Sequence, residues 1–152
     1  MKEYKLVKYE DKDHDEYIKC QTEAFKKYII EFFGGFNVDV MEGHLADILK
    51  FDLYKIIVEN ELAGFIYFKE EDEKITLDVF TILPKFRNCG LGSQILQDFI
   101  KLANTKNKTI NLDTFKTNPA KVFYERNGFV VTGENNSHFI LEYTPNLEQI
   151  KG

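Results

Sequence analysis

Length, composition and charge together indicate one globular domain. The chain has 152 residues, of which 43% are hydrophobic and 30% are charged, so it can form a substantial core and does not resemble a disordered chain. We predict a single domain over residues 1–152. No run approaches the roughly 18 consecutive apolar residues of a membrane helix, and the N-terminal residues do not lead into a signal peptide.

Charge and cysteine content exclude further classes. The net charge is −5 and the lysines are dispersed, which argues against nucleic acid as a partner. The two cysteines, Cys20 and Cys89, are too few for a disulfide framework or a metal site. We therefore expect a cytoplasmic protein with no metal and no membrane partner.

The first half of the chain predicts helices between strands. Acidic residues precede the first helical pattern, paired glycines end it, and two β-rich runs flank Asn60-Glu61. The predicted elements are a strand at 4–9, a helix from the acidic segment 11–15 to Gly34, a helix at 40–49, and a hairpin of strands 53–59 and 62–69.

The second half alternates strands and helices. Pro84 ends an apolar strand, and a later helix is marked by Asn118 at the cap, Pro119 at the first position and Gly128 past the end. The predicted elements are strand 75–83, helix 91–103, strand 109–115, the helix between Asn118 and Gly128, and an antiparallel pair, 129–132 and 138–143, around the turn 133–136. This order predicts an α/β (α+β) fold with a mixed sheet.

The segment from Arg87 to Gly92 is the strongest functional signal. Its glycines lie at a strand-to-helix turn, where free backbone N–H groups and the helix dipole favour a bound anion. The P-loop pattern and the Gly-x-Gly-x-x-Gly pattern are both missing, which excludes two common nucleotide sites. An alternative is that Gly90 and Gly92 only permit a tight turn.

Two blocks in register resemble the GNAT N-acetyltransferase superfamily. The stretch from Phe80 to Ser93 resembles the family's acetyl-CoA pyrophosphate loop, and Asn118 to Phe129 resembles its late helix. The resemblance extends over most of the chain from Leu53 onward. It implies a single-domain GNAT-like fold, with a mixed central sheet flanked by helices on both faces.

The resemblance also implies how acetyl-CoA binds as a cosubstrate. The amides from Asn88 to Ser93 would surround the pyrophosphate, and the preceding strand would lie along the pantetheine arm. The implied cofactor-binding residues are Phe80, Thr81, Ile82, Arg87, Asn88, Cys89, Gly90, Leu91, Gly92, Ser93, Asn118, Phe123 and Tyr124. Alternatively, Asn118 only caps a helix, Phe123 belongs to the core, and Cys89 fills a turn.

Acetyl transfer to an amine needs an acid and a base. Tyr124 matches the family's general acid, since a phenol of pKa about 10 can protonate a thiolate of pKa about 8.5. Asp113 is the predicted base, and Asp78, His138 or a chain of water molecules are the alternatives. The implied function is acetyl-CoA-dependent N-acetylation of a primary amine, by direct attack in a ternary complex.

The acceptor stays open at this stage. The resemblance implies a site between residues 25–49, which include Phe32, Phe33, Phe36 and His44, and the segment Asn135 to Phe139. Most of these aromatic residues are expected to belong to the core instead. The acceptor is a small-molecule or peptide amine, and the protein is a monomer or homodimer. A non-catalytic acyl-CoA-binding module and a ligand-free interaction domain are the alternative functions.

Overall fold

A computed structural model describes residues 3–49 and 52–147 of the chain. In this part of the chain seven strands form one mixed sheet, accompanied by four α-helices, which confirms the predicted fold class. The strand order is β1-β2-β3-β4-β5-β7-β6. The elements are β1 Tyr4–Lys8, α1 His14–Phe33, α2 Val38–Ile48, β2 Leu53–Val58, β3 Glu61–Glu70, β4 Lys74–Ile82, α3 Leu91–Lys106, β5 Thr109–Phe115, α4 Ala120–Arg126, β6 Val130–Glu134 and β7 His138–Tyr143.

The described residues divide into two compact units. The first contains the chain up to Phe68 together with Val79–Gly92, and the second contains Lys69–Asp78 together with the chain from Ser93 onward. Organisation as one domain over residues 1–152 stays a prediction.

Helix α1 begins and ends where its local chemistry requires. A 3-10 turn at Asp11–Asp13 leads into the helix and is capped by the bond from the Glu10 amide to the Asp13 carboxylate at 2.9 Å, and Gly34 ends the helix at a φ of 82°, as predicted. The buried face of α1 packs on the first unit's core, where the Tyr17 and Phe65 rings meet edge-on at 5.1 Å.

Two boundaries in the first unit differ from the predictions. Helix α2 begins at Val38 rather than Val40, because the Asn37 side chain caps it by accepting the Asp39 amide at 2.9 Å. The hairpin turn lies at Glu59 and Asn60, one residue earlier than predicted. Both residues have left-handed φ angles of 50° and 66°, the pattern of a tight two-residue hairpin turn.

Strand β4 is irregular near its C-terminal end. Val79 has a φ of 47°, which is rare for a residue with a β-branched side chain. Its side chain is buried in the first unit's core. Gly64 on β3 lies so close to β4 that an added Cβ would be 2.0 Å from the Thr81 carbonyl oxygen. Pro84 ends the strand as predicted, and the Leu83 amide donates to the Ala63 carbonyl at 2.7 Å.

In the second unit β5 is the central strand. Its first three residues pair in parallel with Lys74–Thr76 of β4, and the whole strand pairs antiparallel with β7. Buried Asn104 of α3 accepts hydrogen bonds from the Tyr143 hydroxyl at 2.8 Å and the Asn146 amide at 2.7 Å. These bonds attach the segment after β7 to α3.

Other second-unit boundaries also differ from the predictions. Helix α3 continues past Ala103 to Lys106 and stops before Asn107, which has a left-handed φ of 55°. Strand β6 extends to Glu134, so the predicted turn at 133–136 moves toward Ser137. There the Asn135 side chain accepts the amides of Ser137 and His138 and stabilises the turn.

Candidate functional site

The glycine turn has the backbone conformation of an anion-binding loop. A short turn at Pro84–Phe86 follows β4, and Asn88 and Gly90 then adopt left-handed φ angles of 59° and 85° before α3 begins at Leu91. Left-handed residues ahead of a helix N-terminus are typical of backbone nests that hold phosphates. A side chain at Gly90 would strain this conformation.

The side chains of the loop have contacts within the protein. Cys89 is exposed, and its thiol donates to the Phe86 carbonyl at 2.8 Å, a contact that suits the turn-filling interpretation. The Arg87 Nε donates to the Ile82 carbonyl at 2.8 Å. Leu91, Gly92 and Ser93 form the beginning of α3, and the Leu91 side chain is buried.

Alternating burial along β4 separates two sets of side chains. Asp78, Phe80 and Ile82 are half-buried, as expected for residues that share a strand face. Val79 and Thr81 are buried. Among the described residues, the Thr81 hydroxyl has no hydrogen-bond partner.

Tyr124 is the most strongly perturbed titratable group of the second unit. Its ring is buried and lies 5.3 Å from Phe123 and 5.7 Å from Phe129. Burial, and then the carboxylates of Asp78 and Asp113, raises the pKa of Tyr124 well above its ordinary value. The structure therefore brings Tyr124, Asp78 and Asp113 within electrostatic range of one another and keeps the hydroxyl protonated.

The other predicted residues of α4 have mainly structural contacts. Asn118 lies one residue before the cap position, which Pro119 occupies, although its side chain accepts the Ala120 amide at 2.9 Å; its ligand contact stays a prediction. Pro119 precedes the first helical residue rather than occupying it, so its predicted position is one residue off. Phe123 is half-buried rather than fully in the core, and Gly128 has a φ of 93° past the helix end.

Asp113 and His138 lie at successive positions of one sheet face. Asp113 is exposed and pairs with Ile140, and the next pair on that face is Phe115 with His138. The His138 ring lies 4.1 Å from the Phe115 ring, and its Nδ1 is 2.7 Å from the Ser137 hydroxyl. Ser137 belongs to the segment Asn135 to Phe139 that the resemblance places at the acceptor site, although it was not singled out there.

The aromatic residues near the end of α1 are not uniformly part of a core. Phe33 is 64% exposed because it lies in the last helical turn before Gly34, so a core role is wrong for it. Phe32, Phe36 and His44 are half-buried. Their contribution to an acceptor site stays a prediction.

A separate cavity in the first unit contains none of the predicted site residues. Its volume is about 320 Å³, and acidic, aromatic and aliphatic side chains surround it. The lining residues are Tyr9, Asp11, His14, Glu42, Leu45, Ala46 and Leu49. Neither the glycine turn, residues 87–92, nor Tyr124 lines this cavity.

The described residues contain neither a metal-ligand cluster nor a membrane-spanning helix. Within residues 3–49 and 52–147, no three histidine, cysteine or acidic side chains cluster as metal ligands. Over the same described ranges, no helix combines the length and apolar character that crossing a membrane requires.

Comparison with known proteins identifies the family. Residues 51–131, more than half of the chain, match the model of the acetyltransferase (GNAT) domain. The chain belongs to the GNAT acetyltransferase family. A curated relative, the ribosomal protein bS18-alanine N-acetyltransferase of Haemophilus influenzae, is 32% identical over 76 residues. That match covers 49% of this chain and about half of the relative, 52% of its length.

Solved GNAT structures share the fold at low identity. The PaiA N-acetyltransferase of Thermoplasma acidophilum, solved with coenzyme A, has a TM-score of 0.68 at 20% identity, covering 93% of this chain and 99% of that one. Arabidopsis thaliana Naa50, solved with the bisubstrate analogue CoA-Ac-MVNAL, has a TM-score of 0.64 at 17% identity, covering 93% and 98%. These similarities support the GNAT fold of this chain.

Proposed function

We propose that this GNAT protein is an acetyl-CoA-dependent N-acetyltransferase that acts on a primary amine of a small molecule or peptide. The observation that carries the proposal is the buried Tyr124, which Asp78 and Asp113 help to keep protonated. A tyrosine hydroxyl that is protonated at neutral pH can donate its proton to a leaving thiolate, and Tyr124 stands at the position of the family's general acid.

Donor binding is the first step of the proposed reaction. The amides from Asn88 to Ser93 would hold the pyrophosphate, since Asn88 and Gly90 already have the left-handed conformations of an anion nest. The backbone of Phe80, Thr81 and Ile82 would lie along the pantetheine arm. These residues are beyond the end of the parallel ladder at Thr76, which supports that role. The coenzyme A bound to the PaiA relative supports the choice of cosubstrate.

The second step is acyl transfer. The acceptor nitrogen, once neutral, attacks the thioester carbonyl carbon, and the carbon–sulfur bond breaks. The leaving thiolate takes the Tyr124 proton, the amide nitrogen loses one proton to solvent, and Tyr124 regains a proton from solvent before the next turnover. Direct attack in a ternary complex needs no covalent enzyme intermediate.

Proton removal from the acceptor ammonium, whose pKa is near 10.4, is assigned to Asp113. Asp78 and His138 are the alternatives among the side chains. Asp113→Asn would then remove the acidic limb of the pH profile of kcat/KM, because that limb reports ionisation of the base. An acidic limb that persists unchanged in this variant would contradict the assignment.

A turnover screen tests the proposed function. Thiol release from acetyl-CoA is followed with polyamines, aminoglycosides, amino acids and peptides. A peptide with an N-terminal alanine is included because of the acceptor that the bS18-alanine relative's name gives. Release that depends on one amine class, with an acetylated product by mass spectrometry, supports the proposal. Binding of acetyl-CoA without release for any amine would instead indicate a binding module.

Tyr124→Phe tests the acid directly. We expect kcat to fall about 100-fold or more with little change in acetyl-CoA affinity, since general acid catalysis contributes about 10²–10⁴. Tyr54→Phe is a matched control, because Tyr54 lies on β2 and its ring stacks on Phe68. An equal loss of kcat and affinity in Tyr124→Phe would contradict the acid role.

The proposal also covers location and assembly. We infer a cytoplasmic protein, a monomer or homodimer, whose partners are acetyl-CoA and the amine rather than nucleic acid or a membrane. The free thiols of Cys20 and Cys89 support a reducing compartment. Size-exclusion chromatography with light scattering measures the assembly.

A further inference from the structure

The Arg87 side chain is bonded to the protein's own backbone. Its Nε donates to the carbonyl of Ile82 at 2.8 Å, and Ile82 is the last residue of β4. Residues 87–93, which include the amides that would hold the donor's pyrophosphate, are called the donor loop. The bond connects the first residue of this loop to the end of the strand, across the turn at Pro84–Phe86. An arginine that served only as a phosphate-binding cation would have no need of this contact.

A second observation concerns the charge of Arg87. The positive charge of Arg87 lowers the pKa of the Cys20 thiol, although burial dominates and raises it to about 12. Cys20 is buried and belongs to the core that α1 forms with β3 and β4. Arg87 is thus bonded to the end of β4, and its charge acts electrostatically on a residue of α1.

The loop that Arg87 begins also has local bonds, such as the bond from the Cys89 thiol to the Phe86 carbonyl at 2.8 Å. Two backbone bonds close the turn before this loop. The Phe86 amide donates to the Leu83 carbonyl at 2.9 Å, and the Arg87 amide donates to the Pro84 carbonyl at 3.2 Å. Asn88 then has a left-handed φ of 59°, a conformation that asparagine adopts more readily than most non-glycine residues, and the Arg87 bond to Ile82 fixes the residue just before it.

We propose that Arg87 is a positioning residue, which fixes the donor loop to the end of β4 so that its amides are arranged for a phosphate before any ligand arrives. The inference rests on the proposed function, because it names how the acetyl-CoA loop is prepared. Preorganisation raises affinity by reducing the entropy lost on binding. On this view the side chain contributes through its bond to Ile82 more than through its charge.

Side-chain length provides a decisive set of variants. The amide nitrogen of glutamine is as many bonds from Cα as the Nε of arginine, so Arg87→Gln keeps a donor at that position without the charge. Arg87→Met has a similar length and no donor. Arg87→Lys keeps the charge but places its nitrogen one bond further out.

The first readout needs no ligand. Cys89 lies within the loop and its thiol is exposed, whereas Cys20 is buried with a raised pKa, so a thiol reagent reports on Cys89. We expect Arg87→Met to increase the labelling rate of Cys89 by about fivefold, the effect of losing one ordinary hydrogen bond, and Arg87→Gln to change it by less than about twofold. Cys89→Ser shows the background from Cys20. Equal rates in the glutamine and methionine variants would overturn the proposal.

The second readout is acetyl-CoA affinity by calorimetry. A positioning role predicts that Arg87→Gln binds about fivefold more tightly than Arg87→Met. A phosphate-binding role predicts that these two variants are equally weak, that Arg87→Lys is the strongest of the three, and that the slope of log Kd against log salt falls in both neutral variants. That second pattern would overturn the proposal. If wild type does not bind acetyl-CoA at all, the proposed function fails, while the Cys89 labelling still tests the positioning role.

Discussion

Substituting Gly64 by alanine would test the close approach of β3 and β4. The added Cβ would lie 2.0 Å from the Thr81 carbonyl oxygen and 3.1 Å from the Ile82 Cα. Since Cβ atoms essentially never come closer than 3.0 Å to such an atom, the strands must separate by about 1 Å. All the blocking atoms belong to the backbone, so no side-chain rotation can relieve the overlap.

The expected cost follows from the strain and from a lost contact. Overpacking a core costs about 1–3 kcal/mol, and weakening the 2.7 Å bond between the Leu83 amide and the Ala63 carbonyl adds about 1 kcal/mol. We therefore expect Gly64→Ala to destabilise the protein by about 3 kcal/mol. At roughly 2–4 °C per kcal/mol for a chain of this size, the Tm falls by about 10 °C.

The assay is thermal unfolding followed by circular dichroism, with Gly43→Ala as the control. Gly43 lies inside α2 with open space where its Cβ would be, so this substitution should raise stability by up to about 1 kcal/mol. Calorimetry at a temperature where Gly64→Ala is folded should show weaker acetyl-CoA binding, because the Thr81 carbonyl moves. A Tm within about 2 °C of wild type would refute the reasoning.

Two further predictions concern stability. Both ring nitrogens of His14 lie within 3.0 Å of carboxylates, and hydrogen bonds to Glu42 and then Asp15 raise the pKa of His14 above 6.5. The stabilisation that protonated His14 gives the folded state is therefore complete below pH 6.5, and it is lost as the pH rises through the raised pKa of the folded protein. Urea unfolding across that range should show a weaker pH dependence in His14→Gln, and an unchanged dependence would contradict the expectation. Asn104→Leu should lower the free energy of unfolding by about 1–3 kcal/mol in the same assay, because it removes the acceptor for the Tyr143 hydroxyl. Tyr143→Phe is the milder comparison. Wild-type stability of Asn104→Leu would be evidence against a stabilising role for this bond.

Local signals in the sequence predicted the fold well. Strands β5 and β7 have the predicted bounds, and Gly34, Pro84 and Gly128 end elements where expected. These predictions succeeded because a glycine that permits left-handed φ, or a proline that stops a strand, acts through its immediate neighbours. The small errors came from competing local signals, such as the Asn37 cap and the left-handed turn at Glu59-Asn60.

The features that the sequence did not predict depend on tertiary contacts. Two contacts cannot be inferred from the spacing of residues along the sequence: the close packing of Gly64 against the Thr81 carbonyl, and the bond from Arg87 to Ile82. Each joins segments whose relative position is set by the folded sheet and loop. The effect of Asp78 and Asp113 on Tyr124 is of the same kind, since three elements converge on one hydroxyl. The sequence suggested those residue types, and the packing set their electrostatic influence.

The left-handed Val79 also limits which sequences this fold accepts. Glycine would suit the φ of 47° but would leave a hole in the core, whereas any large apolar residue fills the space at a conformational cost of about 1–3 kcal/mol. No residue type meets both demands. A saturation library at this position should therefore yield few stable members, although the side chain is buried and carries no polar group.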